Sequence, residues 1–244
     1  MHVQRVVTNE TCNQNCWFCN ARQPVENPDF VSRAAVRRRI AQAQGAQTRE
    51  IVLTGGEPTL RSDLADLVRR AAEQSARVVL ETNAARLDEQ RARDLATAGL
   101  AVARVQLVAW GADAADAISR EPGGFEAALC GIRALASAGV VIEVTTPVVR
   151  RNLDLVAAMP GQIVARELPV AALVLVVPAT APDPTECASL AEVGAAITAV
   201  ADEARRVGLP LRLDPATYVP PCVFEKPERA AAAGRPAAPR RPRR

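Results

Sequence analysis

Three cysteines near the start of the chain are spaced to hold a metal centre. The segment Cys12-Asn-Gln-Asn-Cys16-Trp-Phe-Cys19 brings three thiols together in a short stretch. Thiolates this close repel one another unless a cation neutralises them, so the segment predicts a metal-binding loop. Zinc usually requires a fourth ligand, which would come from one of three distant cysteines: Cys130, Cys187 and Cys222. Three thiolates also suit a four-iron cluster that keeps one iron open, and the loop alone leaves both readings open.

A second motif, Thr54-Gly55-Gly56-Glu57-Pro58, follows a predicted strand. Two glycines let the backbone approach a ligand closely, and the proline favours the start of a helix. The carboxylate of Glu57, or the backbone beside it, can accept hydrogen bonds from an ammonium group.

Other catalytic side chains are scarce. His2 is the only histidine and Lys226 the only lysine, so a histidine-based triad or a Schiff base would depend on residues near the two ends of the chain. The chemistry is therefore expected to come from carboxylates, cysteines or a cofactor.

The charge and hydropathy patterns argue against nucleic acid and membrane partners. The net charge is +3, but six arginines lie in residues 229–244, and the remainder carries −3. Such a body has no basic footprint for nucleic acid. There is no apolar run of the roughly 18 residues that span a bilayer, and no secretory leader is expected. Clustered thiols predict a reducing, cytoplasmic compartment.

Short β-branched runs alternate with amphipathic helical stretches along the chain. The predicted strands are Gln4–Thr8, Ile51–Thr54, Val78–Thr82, Val102–Val108, Val140–Thr145 and Leu173–Val177. This alternation predicts an α/β fold with a parallel sheet covered by helices. A doubly wound sheet and a six-unit partial barrel both fit it. In either fold, both motifs lie at the carboxyl ends of strands, where active sites are found.

The cysteine motif, followed about forty residues later by Thr-Gly-Gly-Glu-Pro, resembles the radical S-adenosylmethionine (SAM) superfamily. The resemblance implies an enzyme with a partial (βα)6 TIM-like barrel over residues 1–226. It implies a [4Fe–4S] cluster held by Cys12, Cys16 and Cys19, with SAM chelating the open iron. One-electron reduction would then cleave SAM to methionine and a 5′-deoxyadenosyl radical that abstracts hydrogen from an unknown substrate.

The resemblance also implies contacts with SAM. Phe18 matches an aromatic position near the adenine, and Gly55, Gly56 and Glu57 match the turn that meets the methionine amino group. Gly56→Val is therefore expected to block SAM binding without disturbing the cluster. Thr82 and Asn83 match a cofactor-pocket turn in which this chain has Ala84 in place of a glycine.

Later segments resemble the peptide- and cofactor-maturing branch of the superfamily. They are Trp110-Gly111, Asp116, Arg120 and Gly124-Phe125-Glu126. Arg120 is predicted either to neutralise a carboxylate of SAM or substrate or to be a surface arginine. Asn152 matches an asparagine that is frequent after the fifth strand, and a helix N-cap explains it equally well.

Auxiliary clusters are not expected, because the downstream cysteines are too few. Cys130 lies in a helical stripe and is predicted to be a buried small hydrophobe. Cys187 is predicted to begin the last helix, and no role is assigned to Cys222.

The resemblance implies two partners: an external one-electron reductant of the flavodoxin or ferredoxin type, and a peptide or small-molecule substrate. Residues 227–244, rich in Ala, Pro and Arg, are predicted to be a disordered tail. The alternatives are a zinc-binding structural module and a shortened, inactive relative.

Overall fold

A computed structural model describes residues 2–19, 31–45, 47–73, 77–178, 181–214, 217, 219, 220 and 223. Its centre is one seven-stranded sheet in which all neighbouring strands are parallel. The strands are β1 (His2–Val7), β2 (Thr48–Thr54), β3 (Arg77–Thr82), β4 (Leu100–Gln106), β5 (Val141–Pro147), β6 (Ala172–Val176) and β7 (Leu211–Leu213). The six predicted strands are confirmed with small shifts at their ends. The short β7 was not predicted.

Seven α-helices belong to the described part of the chain. They are α1 (Arg33–Ala43), α2 (Leu64–Ala72), α3 (Glu89–Thr97), α4 (Ala112–Ser119), α5 (Gly124–Ser137), α6 (Met159–Ala165) and α7 (Leu190–Val207). The Ser189 hydroxyl accepts from the Glu192 amide at 3.3 Å, and Glu192 reciprocates, so a capping box starts α7. Cys187 therefore precedes this helix and does not begin it.

The strand order distinguishes between the two architectures that periodicity left open. The strands lie side by side in sequence order, β1 to β7, without the reversal that defines a doubly wound sheet. The sheet is a curled half-barrel, as the partial-barrel prediction requires. Both predicted motifs follow its strands at their carboxyl ends.

The two faces of the sheet differ in character, because successive side chains of a strand point to opposite faces. Ile51 and Leu53 belong to the main hydrophobic core, whereas the intervening Val52 joins Val79 and Val102 in a separate small cluster. Charged side chains share this inner face of the half-barrel.

No helix among the described residues is long and apolar enough to cross a membrane. The predictions for Cys222, Lys226 and the tail 227–244 lie outside the described residues.

Candidate functional site

The cysteine loop leaves β1 at the carboxyl edge of the sheet. The Asn15 amide donates to the Ser119 carbonyl at 3.1 Å, which ties the loop to the last turn of α4. Cys12 and Cys16 are buried, and Cys19 is exposed. A segment with little regular secondary structure is thus anchored by backbone bonds, with two of its thiols turned inward.

The turn after β2 is hydrogen-bonded directly to this loop. The Gly56 amide donates to the Asn9 carbonyl and the Glu57 amide to the Thr11 carbonyl, each at 2.8 Å. The Asn9 side chain donates to the carbonyls of Thr11 at 2.8 Å and Glu57 at 3.0 Å. The two sequence motifs therefore form one structural unit.

Gly55 and Gly56 are required by this contact. A Cβ at Gly55, whose φ is +143°, would lie 2.2 Å from the Asn9 carbonyl oxygen, and one at Gly56 would lie 2.1 Å from that of Thr11. This close packing argues against the expectation that Gly56→Val would leave the cluster undisturbed. The missing Cβ makes room for the loop backbone, and a branched side chain would push that backbone away.

The Glu57 side chain is 1% exposed and is engaged within the protein. Its Oε1 accepts from the Thr59 amide (2.8 Å), the Thr59 hydroxyl (2.5 Å) and the Thr82 hydroxyl (2.6 Å), and its Oε2 accepts from the Asn83 amide (2.7 Å). Burial raises the pKa of this carboxyl, and the hydrogen bonds oppose the rise. Glu57 thus joins β2 to β3. Its predicted contact with a ligand ammonium stays a prediction.

The turn after β3 completes the unit. The side-chain amide of Asn83 donates from Nδ2 to Asn13 Oδ1 at 2.9 Å, and the same nitrogen lies 3.9 Å from the Cys12 sulfur. Ala84 adopts a left-handed φ of 58°, the conformation that glycine accommodates most easily. Thr82 and Asn83 therefore lie beside the cysteine loop, as the sequence suggested.

Most residues of the predicted site line one cavity of about 430 Å³. Its lining includes Cys12, Cys16, Cys19, Gly55, Gly56, Glu57, Thr82 and Asn83. Phe18 is not among the lining residues. It is 8% exposed and packs in the main hydrophobic core. Its contact with an adenine stays a prediction.

The buried thiols of this cavity need a cation to ionise. Burial raises the pKa of both Cys12 and Cys16 to about 12, and nearby thiolates add to the rise. Within the described chain, no three His, Cys, Asp or Glu side chains converge closely enough to ligate a single metal ion. Three thiols line the one cavity, and three thiolates match an iron–sulfur cluster that keeps one iron open.

The amide nitrogen of Asn13 is a further sign that the loop suits a ligand. This Nδ2 is buried and has no hydrogen-bond partner within the described residues. Buried donors are almost always satisfied, so a sulfur or oxygen acceptor held by the loop would complete it.

Two other cysteines lie outside the cavity lining. Cys130 is exposed on α5, so the prediction of a buried hydrophobe is wrong. It is adjacent to the buried Leu129 in sequence, but the helix turns its side chain outward. Cys187 is half-buried between a 3-10 turn (Pro184–Glu186) and α7.

Sequence reasoning missed a charged wall inside the half-barrel. Arg104 Nη2 lies 2.8 Å from Glu50, and its Nε lies 3.0 Å from Glu143. Arg5 pairs with Glu81, and both line the cavity together with Arg104. The signal that could have revealed this wall is the isolated charge in the middle of β1, β4 and β5, since a buried charge requires a partner.

The branch-specific residues have mainly structural roles. Asp116 accepts hydrogen bonds from the amides of Gly123 (2.6 Å) and Phe125 (2.9 Å) at the start of α5. Arg120 is exposed and does not line the cavity, which supports the surface interpretation.

Asn152 is not a helix N-cap. It is buried, and its Nδ2 donates to the carbonyls of Val108 and Pro147, each at 2.6 Å. It therefore joins the ends of β4 and β5.

Comparisons with known proteins agree with this geometry. The chain is 31% identical over 144 residues to an AdoMet-dependent heme synthase of Oleidesulfovibrio alaskensis, covering 59% of this chain and 37% of that protein. It is 33% identical over 172 residues to a probable GTP 3′,8-cyclase of Halobacterium salinarum, covering 64% and 47%. The chain thus spans less than half the length of these two relatives.

The fold is similar to that of solved structures. The structure of Streptococcus suis SuiB bound to S-adenosylmethionine superposes with a TM-score of 0.68 at 14% identity, covering 86% of this chain and 49% of SuiB. SuiB bound to its precursor peptide SuiA gives 0.69, with 87% and 48% covered. Residues 6–157 match the family described as the Radical SAM superfamily. This match covers more than half of a chain whose two motifs meet at one cavity, and the protein therefore belongs to the radical SAM superfamily.

Proposed function

We propose that this chain binds a [4Fe–4S] cluster through Cys12, Cys16 and Cys19 and cleaves SAM reductively. The observation that carries the proposal is one cavity whose lining contains the three cysteines together with Gly55 and Gly56. Membership of a superfamily whose enzymes use this cluster with SAM supports the same assignment.

A cluster held by Cys12, Cys16 and Cys19 would supply the electron for reductive cleavage of SAM to methionine and a 5′-deoxyadenosyl radical. The protein's own contribution is to hold the cluster, to orient SAM and to shield the site from water. Cys12 and Cys16 are buried, so their thiolates are kept from water. The Gly55–Gly56 turn offers backbone groups to the methionine end of SAM, and Thr82 and Asn83 close the neighbouring wall.

The reducing equivalent would come from an external one-electron donor of the flavodoxin or ferredoxin type. The substrate is proposed to be a small metabolite or a peptide. The matched relatives are named for heme and GTP chemistry, whereas SuiB is seen with a peptide. We infer a cytoplasmic location, because the three thiols must stay reduced to bind iron. We also propose that residues 1–226 form the catalytic core and 227–244 a tail.

Anaerobic reconstitution tests the assignment. We expect about four irons and four sulfides per chain, and 5′-deoxyadenosine after reduction in the presence of SAM. Each single alanine variant of Cys12, Cys16 and Cys19 should lose the cluster. The matched control replaces Cys130, Cys187 and Cys222 together, and its iron content should equal that of the wild type.

Two results would contradict the proposal. One stoichiometric zinc ion in place of iron would establish a structural metal module. A full cluster without 5′-deoxyadenosine would establish an inactive relative.

A further inference from the structure

Trp17 lies on the outer side of the cysteine loop, between two proposed cluster ligands. Its indole nitrogen donates to the Ala117 carbonyl at 3.2 Å, so the ring is fixed against α4. The side chain is 37% exposed and is not among the cavity-lining residues. A large aromatic ring is thus held at the surface, next to Cys16 and on a different side of the loop from the cavity.

Two guanidinium groups lie against this ring. The central guanidinium carbon of Arg120 is 4.6 Å from the ring centroid and that of Arg151 is 4.5 Å away. Both distances are within the range of cation–π attraction. The two arginines come from loops that follow different strands, and the indole brings their charges together.

The exposed positive charge of this cluster rests mainly on Arg120, because two carboxylates, those of Glu186 and Asp183, lie near Arg151. Arg151 makes a bidentate contact with Glu186, whose side chain is buried beneath it, so the carboxylate orients the guanidinium without covering it. Arg120 is exposed, and no carboxylate forms an ion pair with it in the portion of the chain that the structure describes. Arg120 therefore contributes a positive charge that no carboxylate of the described residues offsets.

The backbone of Arg120 is also unusual. It ends α4 with a left-handed φ of 57°, a conformation that costs a residue with a side chain about 1 kcal/mol. Strained backbone conformations cluster at functional sites, so the strain at Arg120 supports a function for its exposed side chain.

We propose that Trp17, Arg120 and Arg151 form the docking surface for an acidic one-electron donor protein. The inference rests on the proposed function, because only a redox cluster needs such a donor. A protein donor cannot enter a cavity filled by SAM and substrate, so it must approach the cluster from outside the loop. Trp17 is the exposed ring beside the ligand Cys16, and Arg120 supplies the charge that attracts an acidic surface.

The test compares two ways of reducing the reconstituted holoenzyme. The probe is a reduced acidic flavodoxin, and the reference is reduced methyl viologen, which needs no docking surface. Stopped-flow bleaching of the cluster absorbance gives the second-order rate constant, and 5′-deoxyadenosine is measured in parallel. The variants are Arg120→Glu and Arg120→Asn, the second because asparagine tolerates the left-handed backbone.

For Arg120→Glu at low salt we expect the flavodoxin rate constant to fall about tenfold, with the viologen rate unchanged within twofold. Arg120→Asn should give a smaller loss of the same kind. Raising the salt concentration should lower the flavodoxin rate constant of the wild type toward that of the Arg120→Glu variant, because salt screens the attraction between the two proteins. The control Arg133→Glu reverses another exposed arginine, on α5, and should leave both rates unchanged.

Flavodoxin rates for both Arg120 variants that equal the wild type at low salt would overturn the docking surface. Such a result would mean that the donor reaches the cluster without using this surface. Failure of the proposed function is distinguishable, since methyl viologen would then yield no 5′-deoxyadenosine even with the wild-type protein.

Discussion

Gly56 packs against the backbone of Thr11 so closely that a Cβ added to it would lie 2.1 Å from the Thr11 carbonyl oxygen. Thr11 immediately precedes the first cysteine of the loop. The glycine turn therefore positions the thiols as well as lining the cavity. A substitution in the turn would displace the loop that carries the proposed cluster ligands.

Replacing Gly56 by alanine should lower the iron content of the reconstituted protein several-fold. One methyl group suffices, because backbone atoms cannot yield as a flexible side chain can. Iron and sulfide analysis measures the effect. Gly45→Ala is the control, since its Cβ would meet only the Thr48 hydroxyl, at 3.7 Å. A Gly56→Ala protein with full iron and weakened SAM binding would instead favour a direct ligand contact.

The cysteines of the iron-free protein should differ in their rates of alkylation. With a pKa of about 12, the buried thiols of Cys12 and Cys16 are about one part in ten thousand ionised at pH 8, and only the thiolate reacts. Cys130 is exposed. We expect iodoacetamide to modify Cys130 well before Cys12 or Cys16, as followed by peptide mass spectrometry. Equal rates would mean that the two loop thiols are open to solvent.

The stability contributed by Glu57 should decline as the pH rises. Burial raises the pKa of its carboxyl, so the folded state binds this proton more tightly than the unfolded state. That contribution is complete below the ordinary pKa of 4.5 and is lost as the pH passes through the raised value. Urea unfolding at pH 5 and pH 8 measures it.

The reference for this effect is Glu57→Gln, which carries no titratable group. The free energy of unfolding of the wild type, relative to that of Glu57→Gln, should be larger at pH 5 than at pH 8. A difference that grows with pH would show that the four hydrogen bonds to the carboxylate outweigh its burial.

Asn152→Ala should destabilise the fold by about 2–4 kcal/mol, because it leaves two buried carbonyls without their donor. The Asn152 side chain also accepts from the Val149 amide at 2.9 Å. Urea unfolding measures the loss. Asn152→Asp keeps the size and this acceptor but removes both donor bonds, so it should be destabilised at least as much at pH 7. A loss below about 1 kcal/mol for both variants would contradict the role assigned here.

Glu167→Gly should stabilise the protein by about 1 kcal/mol. Glu167 is exposed, follows α6 and has a left-handed φ of 51°. Glycine adopts this conformation without steric cost. The matched control Glu167→Ala removes the same charge but keeps the Cβ, so it should gain much less. Thermal unfolding compares the two, and equal gains would assign the effect to charge.

Local sequence patterns were sufficient to predict the fold class of this protein and the position of its site. Strand periodicity identified six of the seven strands, and β7 was missed because three residues are too short to show alternation. The cysteine spacing and the Gly55–Gly56 turn pointed to one site, because in a parallel sheet the carboxyl ends of neighbouring strands share an edge. These features depend on residues that are close in sequence.

The use made of individual side chains was decided by the tertiary structure. Glu57 bonds to Thr82 and to the amide of Asn83, and Trp17 meets Arg120 and Arg151, through contacts that span from 25 to more than 130 positions. No local pattern encodes them, because they arise from the register of the strands and the packing of the loops between them. The sequence alone thus determined which chemistry is present, whereas the strand register decided which groups face the cavity, which brace it, and which reach the surface.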